Sequence, residues 1–382
     1  MKILVFDSWN GKFSRQLIDH WTAIGHEVVF NGSYDEKADI AFWYQADNAC
    51  VEGVNKVDVA RKYVQFVDIE VWAGQASAVP WENVNGAIYM AKHIGEIVDT
   101  KGIPTRMIKP GIDLNKFTLK EPQEETPVRR IAYVVGNGRI WDVKRLDIAL
   151  QILYDIRKLK PEYIWQLHIR GTYSSHEQYN AYCRHLQKDL KLDDFVIWHE
   201  DRVEDMNQWL EDKDYFLLPS IKEAFSFATA EAMAKGIKPI INNWQSAKET
   251  WGKFVCNSYL EMLERLCEDT YEPIEYRKYI EDNYSQERYF KEIDNFVLEG
   301  GETIMSIWDD TPVEQPEQKI EETGFKGLPV RAGDDKIWLL KGGKKRWVTT
   351  AEAYEKIGFK FGDEREIDKE TLDVIPEGEP IS

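Results

Sequence analysis

Cysteine is scarce in this chain. Four residues in 382, at positions 50, 183, 256 and 267, show no CxxC or zinc-ligand spacing. That excludes a disulfide scaffold or a metal ribbon and leaves reduced thiols of a cytoplasmic protein as the expectation. Long apolar runs are missing too: nothing approaches the ~18 residues of a membrane-spanning helix, and MKILVFDSWNG turns polar too early for a signal peptide. Positive charge is in deficit, with 49 Lys and Arg against 67 Asp and Glu and a net charge of -18. A protein that holds nucleic acid mainly by its phosphates needs clustered cations, so that class is disfavoured, although a local basic groove stays compatible. No repeat of solenoid length occurs.

What the chain does have is core material. It is 43% hydrophobic with fourteen Trp, and its length exceeds the ~250 to 300 residues at which single cores stop growing. Two or three domains are therefore expected. KILVF reads as a buried first strand, followed by a turn-rich DSWNGK and a helical pattern closed by Gly25. HEVVF, ADIAFWY, KYVQFVDI and GAIYMA continue the rhythm of β-α units in a parallel sheet, which makes 1–125 one α/β domain. EPQEETPVRR reads as a linker. A second α/β series, 126–275, follows with RIAYVVG, IWQLHIRG, DFVIWHE, DYFLLPS and KPIIN as strands. EYRKYIEDNYSQERYFKEIDNFVLEG is then an amphipathic helical stretch. Residues 301–325 are acidic and Pro-containing, as in a tether, and 326–382 form a small α+β module. Its centre is KIWLLKGGKKRWV, a hairpin over Gly342-Gly343 that sets Trp338 opposite Trp347.

In open parallel sheets, ligands bind beyond the carboxyl ends of strands, and two such ends stand out. In VVGNGRIWDVKRLD, Gly136 and Gly138 permit close backbone approach while Arg139 and Lys144 could hold a diphosphate, one by a planar fork and the other as a point charge. In LLPSIKEAFSFATAEAMAKG, a loop carrying Glu223 leads into a helix starting near Ser226, whose N-terminal N–H groups suit an anion. Glu231 lies eight residues beyond Glu223. One carboxylate can accept hydrogen bonds from hydroxyls at one end of a ligand and its partner from those at the other end, which is the polarity of a nucleotide sugar.

These residues resemble the retaining glycosyltransferases of the GT-B fold, in particular family 4 (group 1). The signature S-x-x-E-G-F-G-x-x-x-x-E-A-M-A-x-G aligns on Ser220 to Gly236, with Ala224 and Ser226 at the two glycines. G-R-L-x-x-x-K-G-x-D matches Gly138, Arg139, Ile140, Lys144 and Asp147, with Arg145 at the second glycine. P-N-G-V-D-x-x-x-F matches Pro110, Gly111, Asp113 and Phe117. The resemblance implies two Rossmann-like domains facing across a cleft, with closing helices at 276–300 packing back on the first, and a sugar moved from a nucleotide-diphosphate sugar, a UDP-sugar being expected, to a glycan or other saccharide hydroxyl. It assigns catalysis to Arg139, Lys144 and Glu223. Donor contacts would come from Gly11, Gly138, Arg202, Val203, Ala224, Phe225, Ser226, Phe227 and Glu231. No metal and no cofactor beyond the donor is implied, since charge on the leaving phosphate is met by cations and N–H groups.

The acceptor is not identified by any motif. NGKFSRQ, FWYQADN and DIEVWAGQ supply aromatics and amides for a sugar or another planar group. Asp68 stands where many relatives carry a His-Asp pair and is the acceptor candidate, with strand-end capping as its plainer reading. His93 reads as structural. Two other functions stay open: glycosylation of a hydroxylated nucleobase in phage-type modified DNA, where nucleic acid is the acceptor, and an inactive scaffold with a glycan- or polymer-binding tail. In that tail KGGKKRW combines aromatic faces with cations, but a small domain must also spend its aromatics on a core.

Overall fold

The computed structural model describes residues 1–11, 14–121, 126–173, 177–199, 205–300, 327–341, 344–367, 369–373 and 375–382, the side chains of 136–140, 173, 177, 370 and 371 excepted. The chain divides into two compact units. The first comprises Met1–Lys116, Glu223–Ala230 and the described part of Tyr279–Glu314; the second comprises Phe117–Lys222, Glu231–Lys278 and the described part of Gln315–Ser382. No helix among the described residues is long and apolar enough to cross a membrane.

Six strands build the first unit: β1 (Lys2–Phe6), β2 (Glu27–Phe30), β3 (Ile40–Trp43), β4 (Arg61–Phe66), β5 (Gly86–Tyr89) and β6 (Thr105–Met107). All are parallel, in the order β2-β1-β3-β4-β5-β6. Their apolar runs are continuous because both faces are covered. Leu4, Phe6, Ala41, Trp43, Val64 and Phe66 enter one core. Ile3, Val5, Ile40, Phe42 and Tyr63, one residue out of step, enter the other together with Tyr289, Ile293 and Phe296 of the Gln286–Val297 helix. That helix is pinned by Asp294, whose carboxylate accepts hydrogen bonds from Trp21 Nε1 at 2.8 Å and contacts His20 Nε2 at 2.7 Å.

The amphipathic stretch before residue 300 is not one helix but two, Pro273–Tyr284 and Gln286–Val297, with Ser285 extended between them. Gly111 and Ile112 explain the break. The Ile112 N–H donates to the Tyr284 carbonyl at 2.8 Å and its carbonyl accepts from Gln286 N–H at 3.2 Å, so a strand-like bridge replaces a turn of helix. Only a glycine fits beside it: a Cβ on Gly111 would lie 2.7 Å from the Gln286 Cα. Ser285 then caps the second helix, its hydroxyl accepting from Arg288 N–H.

The second unit repeats the architecture with β7 (Val128–Ile140), β8 (Ile164–Tyr173), β9 (Val196–His199), β10 (Tyr215–Leu218), β11 (Lys238–Asn242) and β12 (Val255–Cys256). The order is β12-β11-β10-β7-β8-β9, again parallel. Against it packs the Leu146–Leu159 helix, whose Leu146, Ala149, Leu150, Leu153 and Ile156 recur at three- and four-residue spacing on one buried face.

The C-terminal module is a four-stranded sheet in the order β15-β14-β13-β16, formed by β13 (Leu328–Arg331), β14 (Ile337–Lys341), β15 (Lys344–Val348) and β16 (Arg365–Glu366). Lys341 pairs with Lys344 and Trp338 with Trp347, as the hairpin reading required; Gly342 and Gly343 themselves lie outside the described residues. Trp338 belongs to a core with Val330, Leu340 and Leu372, and Lys345 joins it by stacking on Trp338 and donating to the Leu372 carbonyl. Trp347 stays 37% exposed beneath Lys336. Strand alternation places Lys344 and Arg346 on the opposite face from Trp347, so the cations of KGGKKRW do not gather around its ring.

Far from hanging free, the module packs on the second unit through Leu159 and Leu260. Arg365 donates to Asp155 at 2.8 Å and to Gln151 at 3.1 Å, while Tyr259 Oη donates to the same Asp155 oxygen at 2.6 Å. Burial lifts the Asp155 carboxyl above its ordinary value although Arg365 and Tyr259 pull it down. Breaking a buried pair leaves a charge unpaired at a cost of ~3–5 kcal/mol; with 38% of the Arg365 side chain exposed, Arg365→Ala should cost about 2 kcal/mol. Chemical denaturation checks this, and Asp155→Asn in the same background should recover part of the loss.

Candidate active site

In each sheet the strand order reverses direction at one place, and there the loops leaving adjacent carboxyl ends diverge. For the second unit this is the β7/β10 pair. The loop after β7 is a short turn, Asp142–Lys144, held by Tyr133, whose hydroxyl donates to the Lys144 carbonyl at 3.0 Å. The loop after β10 runs Pro219–Lys222. A backbone bond from Ile221 N–H to the Val143 carbonyl, 3.0 Å, ties the two loops, and Asn242 Nδ2 donates to the Ser220 carbonyl at 3.0 Å. Two sequence motifs some eighty residues apart thus meet at one strand-end.

The glycine-rich segment before Lys144 differs from its sequence expectation. Instead of opening into a loop, β7 runs to Ile140, with a register shift between Val134 and Arg139 and pairing resumed at Arg139–Thr172 and Ile140–Tyr173. Glycines 136 and 138 occupy the irregular part, where a bulge tolerates them. Of Gly138 and Arg139 only the backbone belongs to the described residues.

Two departures from the family motifs have physical reasons. Arg145 has φ +55° and ψ +53°, the left-handed region that glycine enters without strain and other residues enter at a cost of ~1–2 kcal/mol. Its guanidinium grips Asp147 through hydrogen bonds from Nε to Oδ1 at 3.0 Å and to Oδ2 at 3.3 Å and from Nη2 to Oδ2 at 2.9 Å, which offsets that strain. Ser226, at the second motif glycine, accepts at its hydroxyl from Thr229 N–H at 3.4 Å and Thr229 Oγ1 at 2.8 Å, and so caps the Phe227–Ala234 helix. One of the N–H groups expected to face an anion is therefore used internally.

Glu223, Ala224, Phe225 and Ser226 are buried; Ala224 packs in a core of the first unit, and Phe225 meets Phe227 edge-on and tilts against Tyr284. Glu231, half-buried, lies one turn inside the helix, its carbonyl accepting from Lys235 N–H. Arg202 and Val203 lie outside the described residues.

In the first unit the strand order reverses at β1/β3. Asp7, immediately after β1 and 2% exposed, is the hub there. Its carboxylate accepts from Trp9 N–H (2.7 Å), Gly11 N–H (3.1 Å), Ser14 Oγ (2.5 Å) and Gln45 Nε2 (3.1 Å). Gly11, at φ +79°, makes the turn possible, but its N–H points inward to Asp7. Around this hub lies a cavity of about 250 Å³ lined in part by Phe6, Ser8, Tyr34, Trp43 and Asp47. A second, about 320 Å³, shares Ser8, Gln45 and Asp47 and reaches Ile69, Glu70 and Gln75. FWYQADN and DIEVWAGQ are thereby brought together.

Asp68, the sequence candidate, precedes the Ile69–Trp72 helix and makes no side-chain helix-cap bond. Glu70 is the residue the sequence reading missed. It is 1% exposed, its oxygens accept from Val67 and Asp68 N–H, and it lines the second cavity; burial raises its carboxyl against those two bonds. Its position four residues past the end of β4 was the available signal. His93 is buried in the Lys92–Gly95 helix.

Two parallel-sheet units with polar strand-end loops, joined by a helix that returns to the first, define a GT-B glycosyltransferase fold. The fold likeness extends to solved structures: the Anabaena protein HepE in complex with UDP and glucose (TM-score 0.61, 16% identity, 78% of this chain and 100% of that one), the lipopolysaccharide outer core galactosyltransferase WaaB (0.57, 15%, 79% and 100%) and a glycosyltransferase of Rickettsia africae (0.58, 12%, 78% and 99%). Residues 129–268 match the family described as Glycosyl transferases group 1. Similar curated proteins are the D-inositol 3-phosphate glycosyltransferases of Paenarthrobacter aurescens, 26% identical over 140 residues (35% of this chain, 34% of that protein), and Pseudarthrobacter chlorophenolicus, 27% over 135 (33% and 31%). The chain spans about a third of the length of these relatives.

Two outcomes test the local readings. Ser226→Ala should cost about 1 kcal/mol and Ser226→Gly only a few tenths, measured as shifts in the unfolding midpoint. For Asp147, burial acts to raise its carboxyl, but the bonds from Arg145 and Tyr179 win and hold it below the usual carboxylate range. A depressed carboxyl contributes stability above its unfolded pKa and loses it as pH falls through the folded value. The acid side of a stability–pH profile, below about pH 4, should therefore flatten in Asp147→Asn.

Proposed function

We propose that the chain is a retaining glycosyltransferase that moves a sugar from a nucleotide-diphosphate sugar, with UDP as the expected nucleotide, to a saccharide hydroxyl. The observation that carries this reading is the backbone tie between Val143 and Ile221, which sets the Lys144 turn beside the loop leading to Glu223 within the segment that matches group 1 glycosyl transferases. The UDP and glucose of the Anabaena structure support the donor class.

In this reading Arg139 and Lys144 meet the charge that develops on the departing diphosphate, where fixed donors are worth most. Glu223 accepts from hydroxyls of the donor sugar and Glu231 from the ribose. Gly138, Ala224, Phe225, Ser226 and Phe227 allow the donor close approach, Gly11 is a further donor contact, and Arg202 and Val203 flank the base. The bond from the anomeric carbon to the diphosphate oxygen breaks, the acceptor oxygen bonds to that carbon on the same face, and the acceptor proton passes to the leaving phosphate. No metal is needed for these steps, so EDTA should leave the rate unchanged.

Thermal-shift titration with UDP, GDP, ADP and their sugars identifies the donor; no stabilisation by any of them overturns the proposal. Lys144→Ala should reduce transfer at least a hundredfold with an unchanged unfolding midpoint. Glu231→Ala should raise the donor KM, and an unaltered KM removes the ribose assignment.

A further inference from the structure

The lining of the two first-unit cavities is one-sided in charge. Asp7, Asp47 and Glu70 contribute to it, Gln45, Asn48 and Gln75 add amides, and no Lys, Arg or His is among the described lining residues. Two described cations near this lining have partners of their own. Lys56 lies over the Tyr34 ring at 5.8 Å and pairs with Glu52 at 3.8 Å, and Arg15 lies over Phe30 at 5.4 Å. Phe6 stacks on Trp43 at 5.1 Å and tilts against Tyr34 at 5.3 Å, so one wall is aromatic.

We infer that the acceptor bound here is a neutral saccharide unit and not a phosphorylated or carboxylated one. A phosphate placed in either cavity would meet carboxylates with no cation among the described lining residues to pair it, an arrangement that selects against anions by repulsion. A neutral sugar meets what it needs: its hydroxyls donate to carboxylates, and its C–H faces lie against the aromatic wall. Glu70 is the decisive group. Each carboxylate oxygen accepts one backbone bond and keeps a lone pair for a ligand hydroxyl, so it can serve the loop and the acceptor together. This inference rests on the glycosyl-transfer reading above.

The test uses the full chain with the donor found by thermal shift. Acceptors are a panel of neutral mono- and disaccharides, including methyl glucosides, galactosides and cellobiose, set against glucose 6-phosphate, inositol phosphate and glucuronic acid. Binding is read by saturation-transfer NMR and transfer by release of nucleotide. Neutral sugars should bind at least tenfold more tightly than their anionic counterparts. Glu70→Gln should weaken the neutral acceptor about tenfold while nucleotide affinity stays the same, a split that a purely structural role would not produce. Asn48→Lys, at an exposed position on the rim, should raise binding of glucose 6-phosphate at least fivefold. Preference for the anionic set, or no response to Asn48→Lys, overturns the inference. Donor hydrolysis without binding of any neutral saccharide overturns it too and leaves glycosyl transfer standing, whereas absence of nucleotide binding falls on the reading beneath it.

Discussion

Everything polar that this protein can use is forced to the ends of its strands. Both six-stranded sheets are parallel and covered on each face, so Leu4 and Val5, or Ile131 and Ala132, are buried in opposite directions. A side chain within such a sheet has no access to solvent or ligand. Polar side chains enter just past the carboxyl ends of the strands, where the loops carry Asp7, Gln45, Glu70 and the Lys144 turn. The same constraint that makes the strands recognisable in sequence thus decides where chemistry can occur.

The strands were the most legible part for that reason. KILVF, HEVVF, DYFLLPS and KPIIN are apolar without alternation, as doubly covered strands must be, and each falls where it reads. Elements depending on distant partners were less legible. The two-residue Val255–Cys256 strand is too short to have a pattern of its own and exists through pairing with β11. The break at Ser285 is imposed by Gly111 and Ile112, some 170 residues earlier, and nothing local to SQERY announces it. The extension of β7 through its glycines likewise depends on a long β8 beside it.

The site shows the same division. Residue types at motif spacing pointed to Lys144, Glu223 and Glu231 in a row along one chain, but not to the bond that brings two of the loops together. Sequence comparison marked Arg145 and Ser226 as departures; geometry gives each a task that a glycine would leave undone, an ion pair to Asp147 in one case and a helix cap in the other. On the acceptor side, aromatics and amides were visible as composition. That Glu70 and not Asp68 faces the cavity is a matter of how a four-residue helix begins, and one-residue differences of orientation are below what periodicity can resolve.

The hydrogen bond from Ile221 to Val143 has a consequence for how such a site can change over time. Because it is made by main-chain atoms, almost any pair of side chains at those two positions preserves it, proline at 221 being the evident exception. The loops can therefore exchange glycines for alanine, serine or arginine, and with them their hydration and charge, while the spacing between the two strand ends is kept. Registration is written in the backbone, and the side chains around it are left free to specialise.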